Sequence, residues 1–266
     1  MDLLHHKVIH HPKSKEWVVF VHGIGGSSSI WFKQLRDFKK HFNLLLIDLP
    51  GHGGNQKGLK DEFTTYNFKK IARRLLDVLD KHSIQHAHFI GISLGTIIIQ
   101  AIEEHAPERI KSMVLGGAVE KVYTPFEILA RMIEWVKHFV PYMWLYKIVA
   151  WILMPRKHHT ESRKLFVREA LKLGQKEFFC WYKIVFREIN WFFHSKKRKR
   201  IIPTTYIMGS EDYMFLPSVK ENCEKEQHST LHILAETGHI CNVEKEKEFN
   251  QLAIDFIESI SNSKAS

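Results

Sequence analysis

The residues with the clearest chemical meaning are the five from 91 to 95, Gly-Ile-Ser-Leu-Gly, which place Ser93 between two glycines. The apolar residues 87–90 before them predict a buried strand, and residues 96–106 after them predict an apolar helix that ends before Pro107. A serine at such a sharp turn has strained backbone, and the helix N-terminus faces the oxygen that becomes negative during acyl transfer. The pattern therefore predicts a nucleophile, although an ordinary glycine-rich strand–helix turn can also produce it.

Other segments predict the elements that must position this serine. Apolar runs predict strands at 8–9, 17–21, 44–48, 87–90, 110–115, 204–208 and 230–234. Apolar residues at helical spacing predict amphipathic helices over 67–81 and 245–260. Alternating strands and helices indicate an α/β fold with a mostly parallel central sheet and helices on both faces. The C-terminal strand ends then share one edge, where ligands bind.

Five short stretches of the chain, taken in order, resemble the α/β-hydrolase fold superfamily of esterases and lipases. They are HGIGG at 22–26, DLPGHG at 48–53, GISLG at 91–95, GSED at 209–212 and GH at 238–239. The resemblance extends from about Trp17 to the end of the chain. It weakens at the front, where about sixteen residues before Trp17 leave little room for the leading antiparallel hairpin of the family.

The resemblance implies a role for three side chains of this sequence. Ser93 is the nucleophile, and because a serine hydroxyl is a weak nucleophile it needs a base. His239, on the loop after the last predicted strand, is implied as that base. Asp212, after the strand at 204–208, is implied as the acid that fixes the histidine tautomer. The adjacent Glu211 is expected to face solvent.

Two backbone groups and two further histidines also have implied roles. The N–H groups of Ile24 and Leu94 should form the oxyanion hole, since both lie beside the expected position of the reacting carbonyl. His22 and His52 belong to structural motifs of the family, and we expect them to hold loops in place. No metal ion or cofactor is expected.

Residues 121–200 differ in composition from the rest of the chain. They contain 18 Lys and Arg against six Asp and Glu, and 17 of the 32 aromatic residues. We interpret them as a helical cap inserted late in the sheet, between the two parts of the core at 1–120 and 201–266. The apolar run 139–154 is too short for a membrane span.

The same composition bears on binding partners. Aromatic residues beside Lys and Arg suit an anionic membrane surface, so weak association with one is an expectation. The plainer alternative is that the aromatics fill the cap and the charges solvate it. The basic run 196–200 lacks a stacking platform beside it, and no nucleic-acid binding is expected. The sequence leaves the oligomeric state open.

The three cysteines, Cys180, Cys223 and Cys241, form no CxxC pair, and the first residues lack the apolar segment of a signal peptide. Both features favour a cytoplasmic location. The leading functional hypothesis is a serine hydrolase that cleaves small-molecule carboxylic esters, with apolar acyl groups preferred. Two alternatives stay open: a non-hydrolytic enzyme that resembles the lyase of menaquinone synthesis and takes an anionic substrate, and a ligand-binding or signalling protein with slow turnover.

Overall fold

The central sheet is the frame on which the site is built. The computed structural model describes residues 3–55, 67–121, 135, 139–195 and 201–263. In these ranges seven strands form one sheet, in the spatial order β1-β3-β2-β4-β5-β6-β7. The strands are β1 (His6–Ile9), β2 (Trp17–Val21), β3 (Asn43–Ile47), β4 (Ala87–Ile92), β5 (Ile110–Gly116), β6 (Thr204–Gly209) and β7 (Ser229–Leu234).

Strand β1 pairs antiparallel with β3, and every other neighbouring pair is parallel. The mostly parallel sheet predicted from the sequence is therefore confirmed. The leading hairpin of the family is represented by β1 alone, since it is the single strand described before β2. Strands β3 and β4 are buried along their whole length, as expected where helices cover both faces of a sheet.

Five of the described helices pack around this sheet in two groups. The described helices are α1 (Phe32–Phe38), α2 (Phe68–Lys81), α3 (Leu94–His105), α4 (Tyr142–Leu153), α5 (Thr160–Leu173), α6 (Gln175–Ser195), α7 (Leu216–Cys223), α8 (Cys241–Glu244) and α9 (Glu246–Ser263). Helices α2 and α3 pack on each other, and α3 contacts β2, β4 and β5. Helices α1, α8 and α9 form the second group, in which α9 contacts β5 and β6.

Helices α4, α5 and α6 lie between β5 and β6 in the chain, within the segment predicted to be a cap. Hydrogen bonds from two aromatic side chains join α4 and α6 to loops that follow strands of the sheet. The buried Trp181 on α6 donates its indole N–H to the Pro50 carbonyl oxygen at 2.9 Å. The buried Tyr146 on α4 donates its hydroxyl to the Ile24 carbonyl oxygen at 3.0 Å.

Parts of the predicted cap lie outside the described residues, namely 122–134, 136–138 and the basic run 196–200. The cap boundaries at 121 and 200 therefore stay a prediction. No helix within the described ranges is both long enough and apolar enough to cross a bilayer.

Candidate active site

Ser93 lies at the turn between β4 and α3, in a backbone conformation that few non-glycine residues adopt. Its φ is 53° and its ψ is −121°, and such strain costs on the order of 1–3 kcal/mol. The two flanking glycines make this turn possible. A Cβ atom at Gly95 would overlap the Val21 carbonyl oxygen, and one at Gly91 would lie 2.9 Å from the Gly95 carbonyl carbon.

A chain of two hydrogen bonds joins the three side chains predicted to act together. The Ser93 Oγ lies 2.8 Å from His239 Nε2, and His239 Nδ1 lies 2.7 Å from Asp212 Oδ2. Both His239 and Asp212 are buried. Because a carboxylate only accepts, His239 Nδ1 carries the proton, which leaves Nε2 free to accept from the serine hydroxyl. This geometry can deliver a serine oxygen to an electrophile while the histidine takes the proton.

Backbone bonds hold the acid loop and the histidine loop against each other. The Glu211 N–H donates to the Thr237 carbonyl oxygen at 2.8 Å, which crosses directly from the loop after β6 to the loop after β7. The Gly238 N–H donates to Glu244 Oε2 at 2.7 Å. The Phe215 ring packs on the His239 imidazole with 5.1 Å between centroids. The two loops that carry Asp212 and His239 are therefore held together by hydrogen bonds and packing.

The two backbone groups predicted to form an oxyanion hole are available to a ligand. In the part of the chain that the structure describes, neither the Ile24 N–H nor the Leu94 N–H donates a hydrogen bond. Leu94 is the first residue of α3, where N–H groups have no partner within the helix. Ser93 and Ile24 line a shared cavity of about 20 Å³.

Two buried histidines hold the loops around this cavity, as the sequence predicts. The Leu49 N–H donates to His22 Nε2 at 3.0 Å, and the Gly25 N–H donates to His52 Nε2 at 2.9 Å. Burial lowers the pKa of His22, and burial lowers the pKa of His52 to about 3. Both rings are therefore neutral, which leaves each Nε2 able to accept a backbone proton.

Glu211 does not face solvent, and this prediction is wrong. Its side chain is only 16% exposed, because the turn before α5 packs over the acid loop. Glu211 Oε2 lies 2.7 Å from His158 Nε2 and 3.0 Å from His159 Nε2. His159 is fully buried and also lies 3.6 Å from Glu244 Oε2. Glu211 therefore joins the cap segment to the loop that carries Asp212.

His158, His159 and Glu211 also form the one cluster with metal-ligand spacing in the described ranges, with ligand atoms within 4.8 Å of one another. The hydrogen bonds argue for a different use. The Arg156 N–H donates to His159 Nδ1 at 3.2 Å, so the neutral ring carries its proton on Nε2, the atom that faces Glu211. Burial lowers the pKa of His159, which favours this neutral form. In this tautomer Nε2 carries a proton and cannot ligate a metal ion, although it makes no hydrogen bond among the described residues.

Glu169 is a candidate that the sequence reasoning missed. It lies on α5 at one wall of the cavity beside Ser93 and is 6% exposed. Lys172 Nζ lies 2.8 Å from one of its carboxylate oxygens, and the Ser29 hydroxyl lies 3.4 Å from the other. Leu165 and Phe166, four and three residues before it, lie on the same helical face, but nothing in the sequence indicates that this face turns towards Ser93.

A parallel sheet with a serine at a strand–helix turn, bonded to a histidine that is bonded to an aspartate, is the arrangement of α/β-fold hydrolases. The family model described as alpha/beta hydrolase fold matches residues 16–246, and this chain belongs to that family. The resemblance drawn from the five sequence stretches is thereby confirmed.

Named relatives share hydrolysis and differ in substrate. The monoacylglycerol lipase ABHD6 of Bos taurus is 23% identical over 94% of this chain and 77% of its own length. The putative carbamate hydrolase RutD of Acinetobacter baylyi is 25% identical over 94% of this chain and 96% of its own length. The solved esterase EaEST from Exiguobacterium antarcticum has a TM-score of 0.79 at 16% identity, covering 96% of this chain and 95% of its own, which shows the fold alone. The chain is thus a hydrolase.

The contacts of Glu211 predict a loss of stability when its carboxylate is removed. Glu211→Ala should lower the free energy of unfolding by about 1 kcal/mol, because the hydrogen bond between its carboxylate and His158 Nε2 is lost. Glu211→Gln should lower it less, since the amide oxygen can still accept. Urea denaturation of both variants measures the difference, and equal stability of Glu211→Ala and wild type would contradict the assignment.

The lowered pKa of His52 predicts how stability depends on pH. Between pH 6.5 and about 3 the unfolded chain binds a proton at this residue that the folded chain does not. The free energy of unfolding should therefore fall as the pH drops through this window, by up to about 1.4 kcal/mol per pH unit for one proton. His52→Gln should make this dependence shallower, as measured by urea denaturation at a series of pH values. The exposed His228→Gln is the control, and an unchanged slope in His52→Gln would refute the prediction.

Proposed function

We propose that this hydrolase cleaves carboxylic esters through an acyl-enzyme formed on Ser93. The observation that carries the proposal is the hydrogen-bonded chain from Ser93 Oγ through His239 to Asp212. Serine, histidine and carboxylate in this order activate a hydroxyl at neutral pH without a metal or cofactor. The free N–H groups of Ile24 and Leu94 supply the complementary part of the site, donors for a developing oxyanion.

The proposed reaction has two steps, acylation of Ser93 and hydrolysis of the acyl-enzyme. Ser93 Oγ attacks the ester carbonyl carbon while His239 Nε2 takes the hydroxyl proton, and the carbonyl oxygen becomes an oxyanion bound by the Ile24 and Leu94 N–H groups. Collapse breaks the bond to the alcohol, which leaves with the proton from His239. Water then attacks the acyl-enzyme, again giving a proton to His239, and that proton returns to Ser93 as the carboxylic acid departs.

The walls of the cavity support a neutral substrate with an apolar acyl group. Apolar side chains contribute most of its lining beside the serine, namely Ile30, Ile92, Leu165, Phe166 and Ile240. Glu169 is the one charged side chain among the described residues of this lining, and it is paired with Lys172, so the lining supplies no Lys or Arg to bind an anionic group. This favours the ester hydrolase over the alternative lyase, which needs an anionic substrate.

The cavity of about 20 Å³ holds roughly one water molecule, so an acyl chain requires movement of the side chains above Ser93. Leu165 and Phe166 belong to α5, which supports the proposal that residues 121–200 form a cap that controls access. Cys180, Cys223 and Cys241 are all free thiols, which supports a cytoplasmic location.

Removal of the Ser93 hydroxyl should abolish turnover. Ser93→Ala should lower the hydrolysis of short and medium p-nitrophenyl esters by several orders of magnitude with the fold intact, because only the attacking atom is lost. A fluorophosphonate probe should label Ser93 in the wild-type protein, as located by peptide mass spectrometry. Substantial activity in Ser93→Ala would overturn the proposal.

The two adjacent acids should differ in their effects on rate. Asp212→Asn should lower kcat by about four orders of magnitude, because an amide does not hold His239 in the tautomer that accepts from serine. Glu211→Gln should cost little, since Glu211 contacts the cap and not His239. Steady-state kinetics on the same ester compares the two variants, and a reversed order of effects would show that the acid is assigned to the wrong residue.

A further inference from the structure

One side of the cap exposes large apolar side chains at adjacent positions of two helices. On α4, Trp144 is 62% exposed, Ile148 is 48% exposed and Trp151 is 57% exposed. On α5, Leu171 is 58% exposed. A groove of about 430 Å³ runs between the two helices, with Trp151 and Leu171 both in its lining. We call this surface, together with the basic residues described below, the outer face of the cap.

Helix α4 is apolar on both sides, which is unusual for a helix at a protein surface. Leu145, Tyr146 and Leu153 are buried on its inner side, whereas Trp144 and Trp151 project outward. A helix that is hydrophobic all round normally has apolar surroundings on every side. We therefore expect the outer side of α4 to bind an apolar partner that covers its tryptophan and isoleucine side chains.

The charges around these apolar side chains are almost entirely positive. Lys147, Lys164 and Arg168 are exposed and line the groove. Arg163 lies 3.9 Å from the centroid of the Trp151 ring, and Lys147 Nζ lies 5.7 Å from that of Trp144.

Acidic residues offset only part of this charge. Helix α4 contains none, and α5 contains Glu161 and Glu169. Glu161 is paired with Lys164 at 2.8 Å, and Glu169 is paired with Lys172 at 2.8 Å and lies 3.7 Å from Arg168 Nε. The two helices carry five Lys and Arg against these two glutamates, so an excess of positive charge is left. The outer face is thus apolar at its centre and cationic around it.

We propose that the outer face of the cap docks on the surface of an anionic phospholipid bilayer. Tryptophan side chains are favoured at the boundary between headgroups and acyl chains, and Lys and Arg stems reach up to phosphate groups. The helix α4 of 12 residues is too short to span a bilayer, so it lies in the interface plane with its outer side inserted. The cationic residues select a negatively charged surface over a neutral one.

This docking places the catalytic centre one helix away from the lipid. Helix α5 presents Lys164, Arg168 and Leu171 on its outer side, and it presents Leu165 and Phe166 to the cavity at Ser93. An apolar ester dissolved in the bilayer would then enter past Leu165 and Phe166, which line the cavity at Ser93. Delivery of such a substrate rests on the proposed ester hydrolysis, whereas the docking surface does not.

The test is sedimentation of the purified chain with vesicles. Wild-type protein should pellet with vesicles of phosphatidylglycerol and phosphatidylcholine at 50 mM salt, stay in the supernatant with pure phosphatidylcholine, and be released at 500 mM salt. The variant Lys147→Gln/Lys164→Gln/Arg168→Gln should bind on the order of a hundredfold more weakly, from about fivefold per charge. A matched control, Lys69→Gln/Lys81→Gln/Lys225→Gln, removes three exposed lysines from the core and should bind as wild type.

A second pair of variants tests the apolar contribution. Ile148→Gln should weaken vesicle binding severalfold, whereas Ile233→Gln, a residue of similar exposure on β7, should not. Hydrolysis of a soluble p-nitrophenyl ester, measured on the same samples, reports separately on the proposed reaction. Equal recovery of wild type and the charge variant in the supernatant would overturn the docking proposal. So would a dimer in analytical ultracentrifugation that Ile148→Gln dissociates, because the outer face would then be an interface between two copies.

Discussion

The position of Ser93 depends on how closely helix α3 approaches the sheet. Gly95, in the first turn of α3, lies so near the Val21 carbonyl of strand β2 that no side chain fits between them. This contact sets the sharp turn that raises Ser93 above the sheet edge. Because β2, β4, β6 and β7 are parallel, their C-terminal loops meet at that same edge. Ile24, Ser93, Asp212 and His239 each follow a different one of these strands, so the sheet brings together residues that the sequence separates.

Side chains at this edge hold the loops in place by accepting hydrogen bonds from their backbone N–H groups. His22 and His52 accept hydrogen bonds from backbone N–H groups of neighbouring loops, and Glu244 accepts one from the N–H of Gly238, next to His239. Each ring is kept neutral by its lack of contact with water, so a buried positive charge is avoided. Donors that are fixed before a substrate arrives need no rearrangement when charge develops on its oxygen.

The sequence predicts local features of this protein better than contacts between distant segments. Ser93, Asp212 and His239 lie in short glycine-marked turns after strands, and the structure brings all three together as expected. The error at Glu211 has a different origin: its exposure depends on His158 and His159, which lie more than fifty residues earlier, in the segment predicted to form a cap. Glu169 was overlooked for the same reason, since nothing near it in the chain indicates that α5 crosses over the serine. Composition indicated an unusual segment at 121–200 without indicating which side of each helix faces outward.

The bond from Tyr146 to the Ile24 carbonyl has a consequence for how this enzyme can diversify. Tyr146 lies on α4, which packs on the cavity-lining helix α5, and its hydroxyl also binds the carbonyl of Ile24, the residue whose N–H is proposed to bind the oxyanion. A mutation that shifts α4 to admit a bulkier substrate also shifts that loop. A change in selectivity made through α4 therefore also affects the Ile24 loop, and so does one made at Phe166, whose ring packs on Tyr146 with 4.6 Å between centroids. Leu165 lines the same cavity, and a substitution there is expected to alter selectivity with less effect on that loop.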